Sequence, residues 1–252
     1  MKTTARKTNT KITPVRGRRG SIHRSVVERV AMDILKGQYQ SGDALPNEVD
    51  LGAQLGVGRS SIREAMRVLS DKGMIEVRPR TGARVTDKKL WRRLDPDVVG
   101  WLLAAGPDKD FLFQLIEARR IFEPAAAECA AKRATSADLA AIEKALGEMN
   151  QAWPENLETC VEADLAFHRA VLNAAGNPIL EEFEIVIDAA LRAAFTLSTT
   201  MSQSYAKTMK SHGEVLDAIR MKDPPRAKSA MAALLDVAAK DLGVSEAPDL
   251  TK

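Results

Sequence analysis

Apolar residues recur at helical spacing along almost the whole chain. Near the start, Val26, Val27, Val30, Ala31, Ile34 and Leu35 fall on one helical face. Residues 45–68 then read LPNEVDLGAQLGVGRSSIREAMRV. Asn47 can cap a short helix carrying Val49, Leu51 and Leu55. Gly56 ends that helix, Val57 turns inward and Gly58 permits an unusual backbone. A second helix follows from Arg59 to Asp71, with Ile62, Ala65, Met66 and Leu69 inward. Alternation in 74–78 and 83–85, around Pro79, Arg80, Thr81 and Gly82, predicts a hairpin with a basic tip. Asp95 and Pro96 form an N-cap and first-turn pair for a short amphipathic helix with Val98, Val99, Trp101 and Leu102. That piece is expected to dock one domain on the other.

From Asp110 onward the pattern is helical throughout. Helices are expected near 110–133, 135–150, 155–175, 178–202, 204–221 and 224–242. Asn177-Pro178 and Asp223-Pro224-Pro225 punctuate them, and Thr135 or Ser136 can cap the second. The expected fold is mainly α: an N-terminal winged helix-turn-helix domain at 21–86 and an all-α antiparallel bundle at 108–243. A linker with a short helix joins them at 87–107. Tails at 1–20 and 244–252 complete the chain. The first tail holds seven Lys and Arg, no acid and little apolar content, so disorder is expected there.

Charge sharpens this division. The 252-residue chain has a formal net charge of only +3. The first 90 residues carry 19 Lys and Arg against 9 Asp and Glu, and the rest carry 18 against 25. A basic head on an acidic body suits nucleic acid at one end and another partner at the other. No apolar run reaches the roughly 18 residues of a membrane helix, and no apolar segment follows the basic tail as in a signal peptide. Cys129 and Cys160, both in helical patterns, are expected to be reduced thiols of a cytoplasmic protein.

The second short helix leaves Arg59, Ser60, Ser61, Arg63 and Arg67 at its start and on its outer face. Such a helix can enter a major groove and donate to guanine edges and phosphates. An ordinary helical hairpin with solvated arginines would share this layout; the basic hairpin beside it favours DNA. Gly42-Asp43-Ala44-Leu45-Pro46, Gly56-Val57-Gly58-Arg59, Ile62-Arg63-Glu64-Ala65 and Arg78-Pro79-Arg80-Thr81-Gly82 resemble the GntR family of bacterial repressors. The resemblance spans about 21–86. It implies DNA contacts for Arg59 and Arg63, with Arg80, Thr81 and Gly82 at the wing tip. Many relatives carry an arginine where this chain has Val49, so that contact is expected to be absent.

In the helical region, polar residues fall on apolar faces. Asp164 and His168, four apart, lie on the stripe of Leu157, Val161, Leu165, Val171 and Leu172. His212 lies on the stripe of Tyr205, Met209, Leu216 and Ile219. Arg119 and Glu123 lie among Leu112, Leu115, Ile116, Phe122 and Ala126. Buried charges are costly unless paired or bound to an ion, so these groups converge if the bundle has a polar centre. An Asp and a His four apart can grip one ion. Chance spacing, a hydrogen-bonded core histidine and a plain Arg119–Glu123 salt bridge fit the same pattern.

Residues 113–135, 162–178 and 211–223 resemble the helical ligand-sensing domain of the FadR subfamily. Many of its members hold a divalent metal with one Asp and three His. The resemblance implies Asp164, His168 and His212 as ligands, with zinc expected and nickel or manganese also suited. The fourth position here is Leu234, which cannot ligate. Arg119 matches an arginine that engages an effector carboxylate, and Glu123 stands beside it as an effector-site residue. Residues 91–98 and 162–168 resemble repressors of galactonate and related sugar-acid catabolism. The implied protein is a cytoplasmic, homodimeric, effector-responsive regulator of a palindromic operator. A small hydroxy-carboxylate is its effector, and a metal-free carboxylate or acyl sensor is the alternative. The triad could also serve a metal-dependent hydrolase, but no His-Glu-x-x-His, Gly-x-Ser-x-Gly or phosphate-cradling glycine loop accompanies it.

Overall fold

The computed structural model describes residues 19–78, 82–106, 108–197, 201–241 and 243–244, with side chains from 23 to 193 and from 208 onward within those spans. Residues 1–18 and 245–252 of the two tails and the wing-tip residues Arg80 and Thr81 lie outside the described residues. The chain divides into two compact units, 1–105 and 106–252.

The first unit is built on α1 (Arg19–Leu35), α2 (Glu48–Leu55) and α3 (Arg59–Asp71). Val26, Val27, Val30, Ala31 and Ile34 of α1 are buried against Leu51, Leu55, Ile62, Ala65, Met66 and Leu69. Asn47 caps α2, its side chain accepting from the amides of Val49 and Asp50, and Gly56 closes it in the left-handed region at φ 68°. Gly52 lets α2 approach the turn, because a Cβ there would sit 2.9 Å from the Val57 carbonyl oxygen. Of the three apolar residues this helix carries, Leu51 and Leu55 are buried and Val49 is half exposed. Leu51 and Leu55 fill the interior; Val49 falls on the flank of this eight-residue helix.

The hairpin is present as β1 (Ile75–Arg78) and β2 (Gly82–Val85), antiparallel, with Ile75 opposite Val85 and Arg78 opposite Gly82. Residues 42–45 run along its free edge: Gly42 N donates to Val85 O, Val85 N to Asp43 O and Leu45 N to Ala83 O. The motif read around Gly42 is thus the third member of the wing's base.

The segment expected as a linker belongs largely to this unit. Trp91 and Val98 are in its core, and Trp101 and Leu102 of α4 (Pro96–Ala105) pack on it. Lys72, the C-cap of α3, is nearly buried and reaches Asp95 at 2.6 Å and Asp97 at 2.8 Å, at the start of α4. That bifurcated ion pair, with the Lys72 ammonium over the Trp101 ring, ties α4 to α3. The sequence showed the amphipathic face; the buried lysine that selects what it packs on is a tertiary feature.

The second unit contains α5 (Lys109–Arg133), α6 (Ser136–Ala152), α7 (Leu157–Ala174), a single turn α8 (Pro178–Glu181), α9 (Glu184–Leu197), α10 (Met201–Arg220) and α11 (Pro224–Asp241). Thr135 and Asp138 form a capping box at α6. Helix α7 packs on α5, α6 and α9, and α11 packs on α5 and α10. The helix expected across 178–202 is broken after α8. There Phe183 stacks on Phe122 of α5, ring centroids 5.1 Å apart, so the break coincides with an aromatic contact between segments. Tyr205, placed on the α10 stripe by spacing, has its side chain outside the described residues.

Two glycines test the backbone argument. Gly73 follows Lys72 at φ +75°, and a Cβ there would lie 2.3 Å from the Leu90 carbonyl oxygen; Gly100 is inside α4 with open space around it. Gly73→Ala is expected to destabilise the first unit by about 2 kcal/mol or more. Gly100→Ala should stabilise it by about 0.5–1 kcal/mol. Thermal unfolding of the two variants checks this, and similar midpoints for both would contradict it.

Candidate functional site

The outer face of α3 begins at Gly58, which offers no side chain to cap its first turn. Arg59 and Ser60 are exposed there, and Ser61 is half-buried. Arg63 is 78% exposed, and its Nη2 lies 3.4 Å from Glu48 Oε2 at the start of α2. Arg67 is held by its own helix, at 2.6 Å from Glu64 and 2.8 Å from Asp71. A phosphate could win it only by displacing those acids, so Arg59 and Arg63 are the readier donors. Gly82, at φ +80°, opens β2 at the end of the wing. Arg84 was not singled out from the sequence. It is exposed on β2, donating to the Gly42 carbonyl at 2.8 Å, and alternation along that strand already placed it outward. Glu48, which steadies Arg63, carried no sequence signal, since the two are 15 residues apart.

The polar residues of the second unit do meet. Arg119 and Glu123 come from α5, Asp164 and His168 from α7, and His212 from α10. Arg119, Glu123, His168 and His212 are almost fully buried. Asp164 keeps a little exposure. Arg119 Nε donates to Glu123 Oε1. Glu123 Oε2 faces His168 Nδ1 at 2.6 Å. Glu123 therefore stands between the arginine, which it hydrogen-bonds, and the imidazole, which it meets at ion-pair distance without hydrogen-bond geometry.

Around Asp164 the ring nitrogens converge. Its Oδ1 is 2.9 Å from His212 Nε2 and 3.4 Å from His168 Nε2. One donor atom from each of Asp164, His168 and His212 lies within 4.8 Å of the others. His212 Nδ1 donates to the Thr208 carbonyl at 2.6 Å. In the neutral ring this turns the Nε2 lone pair toward the Asp164 carboxylate. Two electron-rich atoms 2.9 Å apart require a proton or a cation between them. Three donors each about 2.0–2.2 Å from one ion are separated by roughly 3 Å or slightly more. Glu123 behind His168 and the Thr208 carbonyl behind His212 supply the outer support that metal-ligating imidazoles use. The residues thus fit a divalent ion. Leu234, expected from the resemblance at a fourth ligand position, is buried in the apolar cluster with Phe167, and Phe167 packs edge-on against His212.

Electrostatics agree with this arrangement. Burial alone would push the Glu123 carboxyl up, but Arg119 and His168 pull it down to about 2. Asp164 is likewise pushed up by burial and held well below the usual carboxylate range by His212 and His168. For His168, burial favours the neutral ring, yet Glu123 and Asp164 outweigh it and raise its pKa.

A basic winged helix-turn-helix followed by a helical domain with a polar centre defines a class: two-part DNA-binding transcriptional regulators. Residues 22–85 match the model of bacterial regulatory proteins, gntR family, and residues 114–237 match the FCD domain. The galactonate operon transcriptional repressor of Escherichia coli K12 is 36% identical over 83% of this chain and 92% of its own length. The transcriptional repressor NanR of Citrobacter rodentium is 29% identical over 84% of this chain and 82% of its own. The solved structure of Lar, which controls expression of the Listeria monocytogenes agr system, has a TM-score of 0.61. It shares 19% identity over 89% of this chain and 97% of that one, and so shows the fold. The chain belongs to the GntR family of bacterial regulatory proteins, with an FCD domain. Its families and relatives are transcriptional regulators rather than enzymes. No helix among the described residues is long and apolar enough to cross a membrane.

The pKa directions fix the sign of a pH test on chelated protein. His168 is raised, so its contribution is fully present below about pH 6.5 and lost as pH climbs through its folded value. Glu123 and Asp164 are lowered, so theirs is present above roughly pH 4 and lost on acidification, for Glu123 toward about 2. Chelated protein should therefore lose stability as pH rises from near neutrality through the raised folded pKa of His168. Added zinc or manganese should remove that loss, because a ligating imidazole is deprotonated. A melting temperature that stays level or rises with pH in the chelated sample would count against the network.

Proposed function

We propose that this protein is a cytoplasmic repressor of sugar-acid catabolism, released from a palindromic operator by a hydroxy-carboxylate bound in its helical domain. The observation that carries the reading is the buried cluster of Arg119, Glu123, Asp164, His168 and His212 in an otherwise apolar bundle. Buried ion pairs add little net stability over apolar packing, so such a cluster points to a ligand. Its charge balance favours an anion. Two carboxylates against one guanidinium leave one negative charge, which a proton on His168 offsets. A divalent ion in place of that proton leaves one positive charge in excess, and a monocarboxylate neutralises it.

The residues divide the work. Asp164, His168 and His212 would hold the ion, which supplies a Lewis-acidic position for a carboxylate and an α-hydroxyl. Glu123 pins the Nε edge of Arg119, leaving the remaining guanidinium donors for a ligand carboxylate. Leu234 removes a fourth protein ligand and leaves that position to the effector or water. Similarity to a galactonate operon repressor supports an aldonate. Ligand binding would favour arrangements less suited to DNA. The family's use of operator DNA supports reading by α3, in which Arg59 and Arg63 would contact bases and Ser60 and Ser61 phosphates. Two copies facing a two-fold site imply a homodimer.

A metal-free sensor is favoured by one contact: Arg119 Nη2 lies 3.3 Å from His168 Nε2, placing a cation beside the nitrogen that would ligate. Elemental analysis of gently purified protein separates the two. Zinc, nickel or manganese near one per chain, lost in His168→Ala, supports the metal; traces unaffected by the substitution support the alternative. Leu234→His is expected to tighten metal binding.

Arg119→Ala should abolish calorimetric binding of aldonates while leaving operator affinity near wild type, giving a repressor that no longer releases. Arg119→Lys should restore it only in part, since an ammonium lacks the planar fork. Binding of acyl chains but no hydroxy acid would overturn the effector assignment alone. On the DNA side, Arg59→Ala and Arg63→Ala should each weaken operator binding by about 1–3 kcal/mol at fixed salt. Unchanged affinity in both would remove α3 as the reading helix.

A further inference from the structure

Val49 is 50% exposed, a β-branched apolar side chain presented to solvent from the first turn of α2. Its neighbours are specific. Glu48, one residue earlier, meets the Arg63 guanidinium across the helix-turn-helix. Gly52, three residues later and on the neighbouring flank, is the point where α2 comes closest to the turn before α3, with Ile62 Cγ1 3.7 Å from where its Cβ would be. Val49 therefore lies beside the seam between α2 and α3, on the rim where Arg63 emerges. Ala53, one turn further along that edge, is exposed and short. At this rim α2 presents Val49 and Ala53 beside the acidic Glu48, and α3 presents the cationic Arg63.

An exposed valine is unremarkable on an open surface. Next to a major-groove donor it has one matching chemistry. The thymine C5-methyl is the apolar group that base edges present in the major groove. We propose that Val49 reads a thymine methyl in each operator half-site, adjacent to the base contacted by Arg63. This rests on α3 being the reading helix. It makes α2 a contributor to base choice, with Glu48 setting the Arg63 guanidinium at that boundary.

The test uses the full-length protein and a site selected by it from random duplex DNA. Each thymine of the selected site is replaced in turn by deoxyuridine, which removes only the C5-methyl. Wild type is expected to lose about fourfold in affinity at one thymine per half-site, the effect of one buried methyl group. Val49→Ala should bind the thymine and deoxyuridine duplexes alike, with its salt dependence unchanged. Val49→Thr, which keeps the shape and one methyl, should retain part of the discrimination. Absence of any methyl-sensitive thymine, or equal sensitivity in wild type and Val49→Ala, overturns the proposal. Arg63→Ala is the parallel control: uniform weakening on both duplexes leaves the reading helix standing whatever Val49 does. Wild-type affinity in both the Arg59→Ala and Arg63→Ala variants, or failure to select any site, overturns the reading helix and this proposal with it.

Discussion

The second unit is organised around electrostatic closure. Arg119, Glu123, His168, Asp164 and His212 form a continuous chain of contacts through three helices, with hardly any water-accessible surface. Each group is costly to bury alone, and removing one partner strands another charge. The helices α5, α7 and α10 are thereby held to one mutual register in a way that interchangeable alanines and leucines would not demand. The surrounding apolar shell, including Ala127, Phe167, Leu216, Met231 and Leu234, supplies most of the burial. The charged chain makes the interior specific.

A different device governs the first unit. The helix-turn-helix depends on a close approach at Gly52 and on left-handed backbone at Gly56, both enforced by lack of space for a side chain or by φ. The far end of α3 is anchored through Lys72 to the start of α4 and through Gly73, whose carbonyl accepts from Thr86. Helix α3 is therefore fixed at both ends by contacts outside its own sequence. Its outer face keeps few internal partners at Arg59 and Arg63 and several at Arg67. The same face thus carries arginines of unequal readiness.

Most elements were legible because they are local. Period-3.6 stripes gave α1, α3 and the bundle helices, Asn47 and Thr135 marked helix starts, and two-residue alternation gave the hairpin. The polar cluster was legible in part. Charged residues on apolar stripes announced a polar interior, and the i, i+4 pair Asp164 and His168 faces one way by helix geometry alone. The break after α8 was not legible, since it coincides with the stacking of Phe183 on Phe122, more than 60 residues away in the chain.

Periodicity, caps and charge by themselves determined which segments are helical, which faces are apolar and which end is basic. These follow from backbone geometry repeated every few residues. Tertiary structure alone decided which polar groups touch. It placed Glu123 behind His168, Glu48 against Arg63 and Lys72 between two aspartates, and it left Val49 on the rim. Contacts between residues far apart in the chain depend on how helices pack, and no local pattern encodes that packing.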